Sequence, residues 1–236
     1  MLSLAGLLLL AAPAAPAGAN DGESAGRPES EAAVPAELSR DGWKLLSVPG
    51  KAAAEFAMED SGSIRIIAEN AVAFLYRPLE GGMGEKRRLA WRWRVDEAVA
   101  RTDLSKVGED DRSLAIHLVF PIESETLSFW ERVDLALTRM VAPPMAGKVL
   151  TYVWGGTQAR GASLPNPHFE ENGAIIVLRS GDEPTGRWVM EEIDFVADFR
   201  EAFGYTPPPP IFMAISSDSD DTAGSCLGAV ADLVFG

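Results

Sequence analysis

Two runs in which apolar and polar residues alternate constrain the fold more than any other feature of this chain. They are Arg88–Asp96 and Arg112–Phe120. The first run places four large apolar residues at every second position: Leu89, Trp91, Trp93 and Val95. Successive side chains leave a β-strand on opposite faces, so this period of two predicts half-buried strands. We therefore predict that Trp91 and Trp93 are core residues.

Short strand-like runs recur through the rest of the chain, separated by turn residues and without a regular strand–helix–strand rhythm. We predict eight further strands: Trp43–Val48, Ser63–Glu69, Val72–Arg77, Lys148–Trp154, Ala174–Ser180, Arg187–Phe195, Ile211–Ser217 and Cys226–Phe235. Ten strands in this arrangement favour a mainly β fold, an antiparallel β-sandwich or jelly roll.

Two helices are predicted to interrupt the strands. Residues 125–141 place their apolar side chains at roughly helical spacing, and Pro143-Pro144 ends the run. A short helix is predicted at Phe195–Phe203, because Gly204 follows it and glycine is the usual left-handed C-cap.

The N-terminal part is predicted to lie outside the folded domain. Residues 1–19 read as a signal peptide, because an apolar run too short to span a bilayer precedes Ala17-Gly18-Ala19. Residues 20–36 are acidic, contain no aromatic residue and are predicted to be a disordered leader. We expect residues 37–236 to form a single β-sandwich domain, exported to the periplasm or secreted and without stable membrane insertion.

The charge and the cysteine content exclude two kinds of interaction. A formal net charge of −14 repels phosphate backbones, so nucleic acid is not expected as a partner. The single cysteine, Cys226, cannot form an intramolecular disulfide and is predicted to be a buried thiol.

The polar sides of the strands suggest a ligand-binding face. We predict a face built from five residues: Arg92, Arg94, His117, Tyr152 and Trp154. Aromatic rings stack on sugars and arginine grips hydroxyl or carboxylate groups, so the predicted ligand is a carbohydrate or a component of the cell envelope. Two alternatives stay open, an arginine ladder satisfied by Asp96, Glu191 or Glu192, and a structural role for His117.

Glu192-Ile193-Asp194 suggests an alternative in which the protein is a glycoside hydrolase. In retaining β-glucanases with a concanavalin-like fold, a strand presents Glu-x-Asp and then a second glutamate on one face. Glu192 and Asp194 match the first two positions, but the second glutamate is missing, since the next acid is Asp198. The mechanism needs two carboxyl groups about 5 Å apart. The sequence therefore favours binding over catalysis, and the simpler reading of these carboxylates is an ion pair or a helix cap.

The acidic segment after the Ile211 strand suggests a structural Ca²⁺ site. We predict four ligands: Asp218, Asp220, Asp221 and Asp232. Calcium takes six to eight oxygen ligands, and closely spaced aspartates supply them. The alternative is an acidic turn in which Asp and Ser bind their own backbone.

Several motifs together resemble a bacterial family known as domain of unknown function 3047. They are Trp91-Arg92-Trp93-Arg94-Val95, Gly108-Glu109-Asp110-Asp111, the strand that ends in Phe120, Thr151-Tyr152-Val153-Trp154-Gly155, Asp194–Gly204, and Ser217-Asp218-Ser219-Asp220 before Gly224. The chain departs from the family pattern at Ile193, where an arginine is usual, and at Asp220-Asp221-Thr222. The resemblance implies an exported single-domain protein and supplies no activity.

These observations together predict an exported, non-catalytic β-sandwich that binds a carbohydrate or a cell-envelope ligand on a sheet face. Besides the hydrolase, a second alternative is a structural or assembly protein of the envelope that uses the predicted helix at residues 125–141 as its contact.

Overall fold

The computed structural model describes residues 34–79, 81, 83–122 and 147–236. The predicted signal peptide, most of the predicted leader and the predicted helix at residues 125–141 lie outside the described residues. The described part contains two helices, α1 (Ala36–Arg40) and α2 (Phe195–Phe203). Its strands are β1 (Lys44–Ser47), β2 (Glu55–Met58), β3 (Ile64–Glu69), β4 (Val72–Pro78), β5 (Arg88–Glu97), β6 (Arg112–Phe120), β7 (Lys148–Trp154), β8 (Ser163–Asn166), β9 (Glu170–Arg179), β10 (Val189–Asp194), β11 (Phe212–Asp218) and β12 (Ser225–Phe235).

The strands form two sheets, and the predicted β-sandwich is confirmed. The larger sheet has seven strands in the order β1-β4-β11-β6-β7-β9-β8, and the smaller has five in the order β10-β5-β12-β3-β2. Neighbouring strands run antiparallel except β7 and β9, which pair in parallel. The two strands that the sequence did not predict, β2 and β8, have only four residues each.

The core lies between the two sheets, and Trp91 and Trp93 are at its centre. Both indoles are buried, which confirms their prediction as core residues. The ring of Trp93 meets that of Trp154, from the opposite sheet, edge to face at 5.6 Å between centroids. Alternation along β5 therefore directs its apolar residues inward and leaves Arg92 and Arg94 on the outside.

The predicted helix at Phe195–Phe203 is confirmed, together with its caps. The Asp194 carboxylate accepts hydrogen bonds from the backbone N–H groups of Val196 and Ala197, at 3.1 and 2.9 Å. Gly204 ends the helix with a φ of 81°, the left-handed conformation that glycine adopts without strain. No helix in the described part of the chain is long and apolar enough to cross a bilayer.

Cys226 is buried, as predicted. Its thiol donates a hydrogen bond to the carbonyl oxygen of Ser113 at 3.1 Å. Burial raises the pKa of the thiol to about 11, so the nucleophilic thiolate is scarce at neutral pH.

Candidate functional site

The predicted ligand-binding face is split between the two sheets. β5 pairs with β10 and β12, whereas β6 pairs with β11 and β7. Arg92 and Arg94 therefore lie on the outer face of the five-stranded sheet, and His117 lies on the outer face of the seven-stranded sheet, across the core. The prediction that the three side chains share one face is wrong, because the loop after β5 carries the chain to the other sheet.

Tyr152 and Trp154 do not belong to an exposed face either. Both rings are buried in the core between the sheets. The Tyr152 hydroxyl donates a hydrogen bond to Asp198 of α2 at 2.9 Å, and its ring packs near Trp91. The prediction that Tyr152 and Trp154 contact a ligand is therefore wrong. β7 is covered on both faces, and its aromatic residues point into the core.

His117 is a buried histidine whose ring nitrogens are both satisfied. Nδ1 lies 3.1 Å from the Thr151 hydroxyl oxygen and Nε2 lies 2.8 Å from that of Ser216. The Phe74 ring meets the imidazole edge to face at 5.3 Å. Burial, and to a smaller extent the charge of Arg112, lowers the pKa of His117 to about 3, so the ring is neutral at physiological pH. This is the structural role that the sequence left open as an alternative.

The outer face of the five-stranded sheet presents a partly exposed tryptophan between two arginines. The guanidinium carbons of Arg92 and Arg94 lie 4.8 and 5.0 Å from the centroid of the Trp188 ring. Met190 and Val234 on the same face are 74% and 61% exposed. We call these five residues the Trp188 face. Sequence analysis did not select Trp188, although its position two residues before Met190 places both on one side of the strand.

Carboxylates interleave with the arginines of the Trp188 face. Arg92 forms an ion pair with Asp232 at 2.6 Å, and Arg94 forms one with Asp96 at 2.9 Å. This is the arginine ladder that the sequence left open, now with a tryptophan beside it. The side chains of Arg92 and Asp232 are 37% and 61% exposed, so this ion pair contributes at most about 1 kcal/mol and can exchange partners.

Glu192 and Asp194 have structural partners. Glu192 forms an ion pair with Arg88, and Asp194 forms one with Arg87 at 3.2 Å while it also caps α2. These are the ion pair and the helix cap that were the simpler reading of the two carboxylates. Among the described residues, both carboxylates are thus accounted for by structural contacts.

Three aspartates approach one another at the end of the sandwich where β6 starts and β11 ends. Carboxylate oxygens of Asp111, Asp218 and Asp220 all lie within 4.8 Å of one another. Asp111 was not among the predicted calcium ligands. Asp232 was predicted as a calcium ligand, and this prediction is wrong. Asp232 lies toward the far end of β12 and forms an ion pair with Arg92 on the Trp188 face.

Groups of the protein already balance these carboxylates. Lys51 forms an ion pair with Asp220, and Arg112 approaches Asp218 at 3.3 Å. Burial, reinforced by the neighbouring carboxylates, raises the pKa of Asp218 to about 8. A Ca²⁺ ion at these oxygens would have to displace Lys51 and to compete with the raised proton affinity of Asp218. Calcium binding stays a prediction.

Asp111 also holds the loop between β11 and β12. Its carboxylate accepts hydrogen bonds from the backbone N–H groups of Asp221 and Thr222, at 3.1 and 2.8 Å, and from the Thr222 hydroxyl at 2.6 Å. Asp221, a predicted ligand, is 3.9 Å from the Lys51 ammonium group. The aspartates therefore have a structural function in joining the start of β6 to this loop.

Comparison with solved structures shows a likeness in fold to several β-sandwich domains. The catalytic domain of Humicola grisea Cel12A, solved with a thio cellotetraose, matches with a TM-score of 0.43 and 13% identity over 82% of this chain and 94% of that one. The xyloglucanase domain of NopAA from Sinorhizobium fredii, solved with cellobiose, matches with a TM-score of 0.42 and 7% identity, over 84% of this chain and 94% of that one. CBM28, a carbohydrate-binding module specific for non-crystalline cellulose, matches with a TM-score of 0.34 and 16% identity, over 88% of this chain and 96% of that one.

Comparison by sequence identifies a protein family but no similar curated protein. No curated protein matches the chain significantly. The model of a family described as "Protein of unknown function (DUF3047)" matches residues 41–234, which is most of the chain. The chain therefore belongs to the DUF3047 family.

Proposed function

We propose that the protein is a non-catalytic binding module that holds a neutral carbohydrate on the Trp188 face. The observation that supports this proposal is the partly exposed Trp188 ring beside Arg92 and Arg94 on an outer sheet face. An indole offers a flat apolar surface to the C–H groups of a sugar ring, and a guanidinium offers several donors in a fixed plane.

The ion pairs on the face suit hydroxyl groups. The guanidinium groups of Arg92 and Arg94 offer donors, and the carboxylates of Asp232 and Asp96 offer acceptors, so both kinds of partner lie within a few ångströms. Vicinal hydroxyls of a sugar need both kinds of partner. Because these pairs are partly exposed, a sugar can share them without leaving a buried charge unpaired.

The overall charge decides between a neutral and an acidic carbohydrate. With 35 acidic residues against 21 basic ones, the protein repels a polyanion at long range. The two arginines of the Trp188 face are moreover already neutralised by their carboxylates. A neutral glycan avoids both costs.

A glycan array followed by titration calorimetry with the glycans that bind tests the proposal. Trp188→Ala should weaken binding about tenfold or more, equivalent to about 1.4 kcal/mol. Tyr205→Ala is the matched control, since it removes an aromatic ring, 45% exposed, from the segment after α2. Unchanged affinity in Trp188→Ala, or an array without any bound neutral glycan, would refute the proposal.

Export is part of the same proposal. We infer cleavage before Asn20, at the small-residue site that ends in Ala19. Mass spectrometry of the protein recovered from the periplasm or medium of an expressing bacterium should show a chain that starts at Asn20. Recovery of the uncleaved chain from the cytoplasm alone would contradict this part.

A further inference from the structure

A second concave site lies at one end of the sandwich, between the two sheets. It is open to solvent and has a volume of about 170 Å³, and its lining includes Trp43, Met58, Ile64, Arg77 and Leu233. Trp43 and Arg77 belong to the seven-stranded side, and the other three belong to β2, β3 and β12 of the five-stranded sheet. The walls therefore combine apolar side chains with one guanidinium and with the carboxylates of Asp41 and Asp232.

Arg77 has unusual surroundings for an arginine. Its guanidinium carbon lies 4.8 Å from the centroid of the Trp43 ring, and Nε donates to the Met213 sulfur at 3.3 Å. A thioether is a weak acceptor. Among the described residues, no carboxylate forms an ion pair with Arg77 and no other acceptor binds its two terminal nitrogens.

The chain has an excess of acids, yet Arg77 is not paired with one of them. Partial loss of solvent around the guanidinium lowers its pKa, and the charge of Asp41, which also lines the cavity, opposes this change. Taking a charge out of water is costly unless an opposite charge compensates it. An anion that enters the cavity would supply this compensation, and a carboxylate matches the fork of a guanidinium.

We propose that this cavity binds a small monocarboxylate whose apolar body lies against Trp43, Met58 and Ile64. A cavity of about 150 Å³ holds a benzene molecule. The observed volume of about 170 Å³ therefore suits a carboxylate with a body of about six carbons. Asp41 and Asp232 in the lining limit the site to a single negative charge, because a second carboxylate would meet theirs.

The site is separate from the Trp188 face. The two regions meet only at Asp232, which borders the cavity and pairs with Arg92. Loss of carbohydrate binding in Trp188→Ala would consequently leave this proposal intact, and the reverse also holds.

Titration calorimetry with hexanoate, hexan-1-ol and hexylamine tests the proposal on the full-length protein. Hexanoate should bind, and the alcohol and the amine should bind at least tenfold more weakly, because they cannot pair with a guanidinium. Arg77→Gln should weaken hexanoate binding about tenfold or more. Arg65→Gln on the outer side of β3 is the matched control and should leave the affinity unchanged.

Two further variants keep the test valid if Arg77→Gln folds poorly. Met58→Trp retains Arg77 but fills the cavity, so it should abolish hexanoate binding. Asp41→Asn removes one repulsive carboxylate from the lining, so it should strengthen binding two- to threefold. The proposal is overturned if wild-type protein does not bind hexanoate, if hexan-1-ol binds as tightly, if Met58→Trp leaves binding intact, or if Asp41→Asn weakens it.

Discussion

Acid should destabilise this protein through His117. The folded state holds the ring neutral with a pKa of about 3, whereas the unfolded chain restores the usual value near 6.5. Between these two pH values His117 is protonated in the unfolded state and neutral in the folded state. The contribution is therefore fully present above about pH 6.5 and is lost progressively as the pH falls toward 3.

The magnitude follows from the two pKa values. Each pKa unit corresponds to about 1.4 kcal/mol. A pH of 4 is about 2.5 units below the pKa of histidine in the unfolded chain. Protonation of His117 alone should therefore lower the free energy of unfolding by about 3 kcal/mol relative to pH 7. In His117→Gln this loss should vanish, although the variant starts from a lower stability because a glutamine amide replaces the ring between Thr151 and Ser216.

Urea denaturation of both proteins at pH 7 and pH 4 provides the measurement. Carboxylates that titrate in the same range contribute equally to wild type and variant, so they cancel when the two pH effects are subtracted. We expect the wild type to lose about 3 kcal/mol more than His117→Gln between these pH values. Equal losses in the two proteins would refute the account of His117 as a buried neutral base.

Three further predictions concern the core, a buried hydroxyl and the calcium site. Trp93→Ala should cost about 3–5 kcal/mol of unfolding free energy, and a denaturation midpoint equal to wild type would contradict its place in the core. Tyr152→Phe removes the hydrogen bond to Asp198 and should cost about 1–2 kcal/mol by the same measurement, whereas no change would mean that water replaces the hydroxyl. Millimolar Ca²⁺ should raise the melting temperature and a chelator should reverse this, with a larger effect in Lys51→Ala because Lys51 competes for Asp220. An unchanged midpoint in both proteins would remove calcium from the account.

Local pattern was sufficient to predict most strands and the burial of Trp91 and Trp93. Alternation with a period of two is a property of the strand itself, so it can be read without knowing which strand is its neighbour. The helix at Phe195–Phe203 was likewise visible, because its C-cap Gly204 is adjacent in sequence.

Pairing between strands could not be read in this way. The predicted ligand-binding face required β5 and β6 to share a sheet, but they belong to different sheets, and this separates Arg92 from His117. Asp111 was missed for a related reason, since its partner Thr222 lies 111 residues further along the chain. The signal present in the sequence was the acidic pair Asp110-Asp111 directly before a buried strand.

The strand order has a consequence for how the protein is made. β11 lies between β4 and β6, and β12 lies between β5 and β3, so the last two of the described strands complete both sheets from within. Until residues 212–235 have been synthesised, four earlier strands keep unpaired edges, and such edges are templates for aggregation. Neither sheet can therefore be completed until β11 and β12 have been synthesised. A frameshift or a stop codon that removes only these two strands should yield an insoluble product instead of a smaller folded domain.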